Sequence, residues 1–242
     1  SLVLLILYYF LISYYYNAWI KIPEFSTDHI STAPQVKVSV IVPARNEEEV
    51  IEECLQSLLE QHYPKHLLEI IVVDDYSTDN TAGIVERYTS DNVTLLQLKD
   101  FFAEAGISAH KKKAIETGIQ YSSGDLIITT DADCVADSNW VSTVAGFYKY
   151  SNASFVVAPV KITPHGSLLS VFQSIDFAIL QGITGASVSK KFHYMCNGAN
   201  LAYEKKIFHE VNGFEGIDHI ASGDDMLLME KIAKERPEGI AY

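Results

Sequence analysis

The stretch from Leu126 to Cys134 constrains this chain more than any other, because an apolar, β-branched run leads directly into two aspartates. Such a run predicts a buried β-strand, and Asp131 and Asp133 follow where that strand ends. Two carboxylates one residue apart can face a single point and offer hard oxygen ligands to Mg²⁺ or Mn²⁺, together with substrate phosphates. The alternative is an Asp-rich turn without chemistry, since turns favour Asp for local reasons.

Three further apolar runs precede this strand and alternate with helical patterns. Strands are predicted at Val36–Pro43, Glu69–Val73 and Val93–Leu98. Asn46 and Glu49 have the spacing of a capping box at the start of the first helix. Strands that alternate with helices indicate βαβ units, so the predicted fold class is α/β with a mostly parallel central sheet flanked by helices.

Polar residues follow the carboxyl ends of these predicted strands. Pro43-Ala44-Arg45 ends the first strand, Asp74-Asp75 ends the second, and Asp131 and Asp133 end the fourth. Ligands of open parallel sheets bind in the crevice at these ends, so the pattern predicts one shared site. The Gly-x-Gly-x-x-Gly pattern does not occur in the sequence, which disfavours a dinucleotide-binding Rossmann domain.

Composition limits the class of protein further. The 242 residues are 48% hydrophobic and 20% charged, which suffices for a sizeable core in one large α/β domain. The formal net charge of −13 disfavours nucleic acid as a partner. A metal ion and a few lysines can still create a local site for an anionic substrate. Cys54, Cys134 and Cys196 lack zinc-site spacing and are expected to be reduced thiols in a cytosolic domain.

The segment from Leu2 to Ile20 contains no charged residue and is long enough to cross a bilayer as a helix. It is rich in Tyr and ends with Trp19 and Lys21, which suits a helix end at the lipid–water boundary. Lys21 favours a cytoplasmic location for the rest of the chain. The alternative is a buried or partner-bound helix. The expected segments are a transmembrane helix over residues 1–21, a linker over 22–35 and a catalytic domain over 36–242.

Several motifs in order resemble glycosyltransferase family 2, which has the Rossmann-like A-type glycosyltransferase fold. The resemblance covers about Val36 to Leu228. Its motifs are the opening strand Val38–Glu47, the turn Val72–Asp79, the lysine-rich helix start Lys111–Gly118 and Asp131-Ala132-Asp133. It implies an inverting transfer from a nucleotide-diphosphate sugar, a Mg²⁺ or Mn²⁺ cofactor, and a lipid-linked or polysaccharide acceptor. It also implies an inner-membrane protein whose catalytic domain faces the cytoplasm.

The resemblance assigns roles to individual residues. Asp75, with Asp74, would accept hydrogen bonds from the nucleobase or ribose. Asp133 would hold the metal ion, and Asp131 would hold the ribose, or the metal through water. Lys111 would meet the diphosphate, and three lysines at a helix N-terminus oppose the helix dipole and so predict a nearby anion. The remaining donor-side residues are Pro43, Ala44, Asn46, Glu47, Ala132 and Gly198.

One departure falls in the helix that begins with the lysines, where Glu116 stands at a position that is commonly Asn in the family. Farther along, Ser222–Met229 resembles the family's Glu-Asp-x-x-Leu motif, whose Asp is the catalytic base. By that match Asp225 would deprotonate the acceptor hydroxyl, with Asp224 in place of the usual Glu. Partial burial would raise the pKa of such a base. His219 is a candidate on the acceptor side, and the alternative for the two acids is helix capping.

The chain ends before the Gln-x-x-Arg-Trp motif of processive family members, so a C-terminally truncated domain is expected. The apolar segment Leu168–Ile183 is expected to be a core or membrane-facing helix. Two other classes of protein fit part of the sequence. Ile127–Val135 also resembles haloacid-dehalogenase phosphatases, with Asp131 as nucleophile and Asp133 as acid, but this leaves the earlier motifs unexplained. A non-catalytic, membrane-tethered nucleotide-sugar-binding module is opposed only by the presence of Asp225.

Overall fold

A seven-stranded sheet forms the centre of the molecule, with strand order β3-β2-β1-β4-β6-β5-β7. The structure is a computed structural model that describes residues 2–26, 35–89, 92–192 and 195–242. The strands are β1 (Val38–Ala44), β2 (Leu68–Asp74), β3 (Val93–Gln97), β4 (Leu126–Thr129), β5 (Phe155–Val157), β6 (Leu201–Glu204) and β7 (Ile240–Ala241). Only β6 runs antiparallel to its neighbours in this sheet. The predicted mostly parallel α/β fold is confirmed.

Helices cover both faces of the sheet. Those in the described part of the chain are α1 (Leu2–Trp19), α2 (Ile51–Leu59), α3 (Thr81–Glu86), α4 (His110–Tyr121), α5 (Trp140–Ser151), α6 (Leu168–Ser189), α7 (Lys205–Glu210) and α8 (Asp224–Glu235). One core cluster joins the sheet to α2, α3 and α5, and the other joins it to α4, α7, α8 and the end of α6. The central strands are therefore buried on both faces, which explains their continuous apolar runs.

The strand register brings the carboxyl ends of the central strands to one edge. Ala44 pairs with Asp74 across β1 and β2, and Ile41 pairs with Thr129 across β1 and β4. The polar residues that follow these strands therefore begin from one edge of the sheet, as the sequence predicted. This alignment is what positions the candidate site.

The predicted capping box at Asn46 and Glu49 is wrong. Helix α2 begins at Ile51, its N-cap is Val50, and no side chain caps it. Asn46 instead adopts a left-handed backbone conformation with φ of 57°, and its Oδ1 accepts a 2.8 Å hydrogen bond from the backbone N–H of Thr78. The side chain thus binds the turn after β2, a tertiary contact that the local sequence pattern does not contain.

Two helices present long apolar surfaces outside the core. By length and composition, α1 and α6 could each cross a membrane, which by itself is a weak indication. Only Ala18 is buried in α1, and the rings of Trp19 and Tyr242 lie 6.1 Å apart where this helix meets the body. The transmembrane helix over residues 1–21 and the division at residue 36 stay predictions. Most of the predicted linker, residues 27–34, lies outside the described part of the chain.

Candidate active site

A cavity of about 260 Å³ opens where β1, β2 and β4 end. These strands are parallel neighbours, so the residues that follow them converge at the same edge. The residues that line the cavity are Pro43, Ala44, Arg45, Glu47, Asp75, Lys111, Asp131, Ala132 and Asp133. All of them except Arg45 are site residues predicted from the sequence.

Three predicted donor-side residues lie outside this lining, namely Asn46, Asp74 and Gly198. Asn46 binds the turn after β2 instead. Asp74 is only 2% exposed, and its buried Oδ1 has no hydrogen-bond partner among the described residues. Of the two adjacent acids, Asp75 is therefore the one that faces the cavity and is better placed to contact a bound ligand.

Two basic side chains to which the sequence analysis gave no role hold Asp75 in place. His110 Nδ1 lies 2.7 Å from Asp75 Oδ1, and Arg45 Nη1 lies 3.7 Å from Asp75 Oδ2. The Arg45 guanidinium also pairs with Glu104 at 3.0 Å. The signal for both residues was present in the sequence, since Arg45 follows a strand end and His110 begins the lysine-rich helix. Their contacts orient the carboxylate before any ligand arrives.

Lys111 crosses the cavity to the two aspartates after β4. Its Nζ donates a 2.6 Å hydrogen bond to Asp131 Oδ1. Burial opposes the charged form of Lys111, but the negative charges of Asp131 and Asp224 outweigh it and raise the pKa of the lysine. Asp131 is thus an anion beside the lysine run, and the contact of Lys111 with a diphosphate stays a prediction. On the same helix, Lys113 forms an ion pair with Glu116 at 2.9 Å. Glu116 is the residue that departs from the family pattern, and this ion pair engages its carboxylate.

The cavity carries unbalanced negative charge beside Asp131 and Asp133. The pKa of Glu47 is raised, first by burial and then by the charges of Asp133 and Asp131. Within the described residues, no group of three His, Cys, Asp or Glu side chains is arranged to hold a metal ion. Two carboxylates that share a cation with substrate phosphates do not need a third protein ligand, and Mg²⁺ is often bound in this way. The residues present therefore fit a divalent ion that is bound by two protein carboxylates and by the phosphates of a substrate.

Asp225 is tied to the end of β4 through the backbone of Gly198. The N–H of Gly198 donates a 3.0 Å hydrogen bond to Asp225 Oδ2, and its carbonyl accepts a 2.9 Å bond from Thr129 Oγ1. Asp225 Oδ1 also accepts from the backbone N–H of Met226 at 2.7 Å. The predicted base is therefore linked to the strand that carries the predicted metal ligands, although it lies about a hundred residues farther along the chain.

Gly198 also lies where a side chain would crowd the site. A Cβ at this residue would be 3.3 Å from Asp224 Oδ2 and 3.5 Å from Lys111 Nζ. Its small size keeps open the space between these two charged groups. His219, by contrast, has a side chain that is 71% exposed and approaches Asp218 at 3.9 Å. Its acceptor-side role stays a prediction.

Burial raises the pKa of Asp224, the first residue of α8, and the charge of Asp225 acts in the same direction against the opposing effect of Lys111. A carboxylate with a raised folded-state pKa stabilises the fold only while protonated, and this contribution is lost as pH rises through that pKa. Asp224→Asn should therefore stabilise the protein near neutral pH, on the order of 1 kcal/mol or about 2–4 °C in Tm. Thermal unfolding at neutral and acidic pH measures this effect, which should shrink in acid.

Glu230→Gln is the matched control for this prediction, because Glu230 is an exposed acid on the same helix. It should change the Tm little at either pH. A lower Tm for Asp224→Asn at neutral pH would contradict the assignment of Asp224 as a desolvated carboxylate.

A buried lysine fixes the loop that leads into α8. Lys112 is 2% exposed, and its Nζ donates hydrogen bonds to the carbonyls of Ile220 and Ser222 at 2.5 and 2.7 Å. Burial lowers the pKa of this lysine. Lys112→Ala should leave two carbonyls without their donor and destabilise the fold by about 2 kcal/mol in chemical denaturation. Lys113→Ala, which removes the neighbouring partly exposed lysine, should cost less than about 0.5 kcal/mol; equal effects would contradict this role.

Comparison with known structures defines the fold of this site. A mannosyltransferase from Pyrobaculum calidifontis, solved in complex with GDP-Man and Mn²⁺, superposes with a TM-score of 0.68 at 24% identity over 95% of this chain and 61% of that chain. The Staphylococcus aureus TarS fragment in complex with UDP gives a TM-score of 0.61 at 24% identity, over 81% of this chain and 54% of that chain. The chain therefore has the A-type glycosyltransferase fold.

Sequence comparison defines the family. The family described as Glycosyl transferase family 2 matches residues 39–211. The chain belongs to glycosyltransferase family 2. The matched range includes Asp75, Asp131 and Asp133 but ends before Asp225. Because it covers the strand before Asp131, the phosphatase alternative for these two aspartates is not supported.

The relatives are longer proteins. The probable glycosyltransferase YdaM of Bacillus subtilis is 33% identical over 74% of this chain and 43% of its own length. The glycosyltransferase AglE of Haloferax volcanii is 31% identical over 78% of this chain and 59% of its own length. The chain thus spans about half the length of these curated relatives.

Proposed function

We propose that this chain carries the donor site and catalytic base of an inverting, metal-dependent glycosyltransferase that uses a nucleotide-diphosphate sugar. The observation that carries the proposal is that three groups of acidic side chains are connected at one edge of the sheet. Asp75 and the pair Asp131 and Asp133 line one cavity, and Asp225 is joined to the same edge through Gly198. Each of these acidic groups suits a different part of the reaction.

The donor would lie across the cavity. Asp75, oriented by His110 and Arg45, accepts hydrogen bonds from the nucleobase or ribose. Lys111 supplies positive charge to the diphosphate, for which it must share or release Asp131. Structural neighbours solved with GDP-Man and Mn²⁺, or with UDP, support a donor of this class.

Asp133 and Asp131 would hold the divalent ion together with phosphate oxygens. When bound, a divalent ion at this place neutralises the charge that develops on the departing nucleoside diphosphate. The raised pKa of Glu47 reflects, besides its burial, the negative charge of these two aspartates, which a bound cation would offset. This local charge supports a cation at the site rather than an Asp-rich turn without chemistry.

The chemical step needs a base on the acceptor side. Asp225 removes the proton from the acceptor hydroxyl as that oxygen forms a bond to the anomeric carbon. The bond from the anomeric carbon to the diphosphate breaks in the same displacement, so the configuration inverts. The N–H of Gly198 holds Asp225 Oδ2 and fixes the orientation of the carboxylate. Asp224, beside it, is partly buried and lies near Lys111.

The proposal for the acceptor is a lipid-linked or polysaccharide hydroxyl, with the catalytic domain on the cytoplasmic face of the inner membrane. In this arrangement, residues 1–21 form the membrane anchor, 22–35 the linker and 36–242 the catalytic domain. The exposed, apolar surface of α1 supports an anchor. Lys21 at its end supports the cytoplasmic orientation.

A donor screen on the full-length protein tests this function. Nucleotide-diphosphate sugars are supplied with Mn²⁺ and candidate acceptors, and release of nucleoside diphosphate is measured. Acceptor-dependent release from at least one donor, with an inverted anomeric configuration in the product by proton NMR, is the expected result. Tight nucleotide binding without release from any donor would favour a non-catalytic binding module instead.

A further inference from the structure

The exposed face of α6 is a large apolar surface that the proposed function does not use. Leu168, Phe172, Ile175 and Ile179 have relative exposures of 91%, 67%, 56% and 57%. Their spacing of four, three and four residues places them on one side of the helix. This set of four side chains, the α6 stripe, faces away from the core, whereas Thr184 to Val188 at the other end of the helix are buried.

The segment before α6 runs back along the helix, which argues against α6 as a membrane-spanning helix. Residues 158–167 have no helical or strand structure. Their contacts with the helix are Val160 N to Gln181 Oε1 at 3.4 Å, Ser174 Oγ to the carbonyl of Ile162 at 2.9 Å, and His165 N to Ser170 Oγ at 2.8 Å. If α6 crossed the hydrocarbon core, this irregular backbone would lie there too, with polar groups that lipid cannot satisfy.

Charge around α6 suits an anionic lipid surface. The chain as a whole has 18 Lys and Arg against 31 Asp and Glu, but residues 158–192 contain three lysines and one acid. These residues are Lys161, Lys190, Lys191 and Asp176, all of them exposed. Lys191 pairs with Glu238, whereas Lys161 and Lys190 form no ion pair within the described part of the chain and could meet lipid headgroups. Lys161 lies in the segment before α6 and Lys190 directly follows the helix, and basic residues that flank an apolar helix are typical of membrane-surface helices.

The stripe also belongs to a helix that packs against α1. The two helices are in contact, and the rings of Tyr14 and Phe192 lie 6.4 Å apart just beyond the end of α6. An α1 embedded in lipid would therefore hold α6 close to the membrane. The chain leaves the sheet after β5, forms α6 and returns to the sheet at β6. Gly198, whose N–H donates a hydrogen bond to Asp225, lies just before β6.

We propose that α6 lies in the surface of an anionic bilayer beside α1, with its stripe among the lipid chains just below the headgroups. This inference rests on the proposed membrane attachment through α1 and adds a second contact. It would bring the edge of the sheet to which Gly198 links Asp225 to the membrane surface, where the hydroxyl or phosphate end of a lipid-linked acceptor would lie. Such helices bury their apolar face about 5–10 Å deep.

Tryptophan quenching by brominated lipids tests the proposal. The full chain is reconstituted in vesicles of phosphatidylcholine and phosphatidylglycerol in equal parts, with bromines in the acyl chains. The variant Phe172→Trp places a reporter on the stripe, and Tyr121→Trp places one at an exposed aromatic residue of α4. The fluorescence of the unmodified chain, which comes from Trp19 and Trp140, is subtracted from that of each variant. The quenching of the two remaining reporter signals is then compared. Quenching of the Phe172→Trp reporter should be at least twofold greater than that of Tyr121→Trp.

Equal, weak quenching of both reporters would overturn the proposal, even if native Trp19 is quenched and so shows that α1 is anchored. Absence of quenching at both Phe172→Trp and native Trp19 would overturn the anchor proposal as well. Strong quenching of Phe172→Trp that is greatest with bromines at the bilayer centre would also contradict a surface helix. A dimer in detergent that Phe172→Glu dissociates, without lipid quenching, would assign the stripe to a second copy of the chain.

Discussion

Asp225→Asn should abolish sugar transfer while leaving donor binding nearly unchanged. An amide cannot take the proton of the acceptor hydroxyl, and a positioned general base contributes about 10²–10⁴-fold to rate. We therefore expect the rate of transfer to fall by about 10³. The single amide oxygen can still accept the hydrogen bond from the N–H of Gly198, whereas the bond from the N–H of Met226 to Oδ1 is lost. Nucleoside diphosphate release at saturating donor and acceptor measures the rate, and calorimetry measures the binding.

The matched control is Asp224→Asn, which removes the neighbouring acid. If Asp225 is the base, this control should retain far more activity than Asp225→Asn, although it changes the charge near Lys111. An active Asp225→Asn enzyme would reject Asp225 as the base. Inactivity of Asp224→Asn alone would transfer that role to its neighbour.

Asp133→Asn should cause the second large loss, of about a hundredfold or more in transfer rate. The change removes one of two carboxylates proposed to hold the divalent ion, and metal stabilisation of a leaving diphosphate contributes several kcal/mol. A weakened metal site should recover part of the rate at high Mn²⁺ concentration. The measurement is therefore the transfer rate against Mn²⁺ concentration, in which the variant should need more metal.

Asp137→Asn is the control for that experiment, because Asp137 is an exposed acid a few residues farther on and bonds the backbone N–H of Asn139 at 2.9 Å. It should behave like the unmodified chain. The same Mn²⁺ dependence in Asp133→Asn and the unmodified chain would exclude Asp133 as a metal ligand.

Much of the cavity was predictable because its residues come directly after strands. Strong apolar runs mark β1, β2 and β4, and parallel strands bring the residues at their carboxyl ends to one edge. Pro43, Asp75 and Asp131 could therefore be placed together without knowledge of any contact. The resemblance to the family then separated these acids from ordinary turn residues, and the family match agrees with it.

The rest depended on contacts between distant segments. The sequence pattern at Asn46 indicates a helix cap, but the side chain binds the turn at Thr78. Nothing local marks Lys112 as buried, because its partners are the carbonyls of a loop more than a hundred residues away. Similarly, burial and a raised pKa at Asp224 arise from packing against neighbouring elements.

Helix α6 shows a further limit of composition. By length and apolar composition alone, α6 could cross a membrane, and so could α1. The contact between Ile162 and Ser174 shows that the preceding segment runs back along α6, and it is the basis for our proposal that α6 lies in the membrane surface. That contact joins two segments whose pairing has no marker in the local sequence pattern.

Calorimetric titration of the full chain with UDP and GDP, with and without Mn²⁺, tests the central claim most directly. The claim is that Asp75, Asp131 and Asp133 form one nucleotide-diphosphate site that shares a divalent ion with the phosphates. It predicts that at least one of the two nucleotides binds measurably with Mn²⁺ and at least tenfold more weakly without it. Equal affinity with and without the metal ion, or no binding of either nucleotide, would contradict the claim.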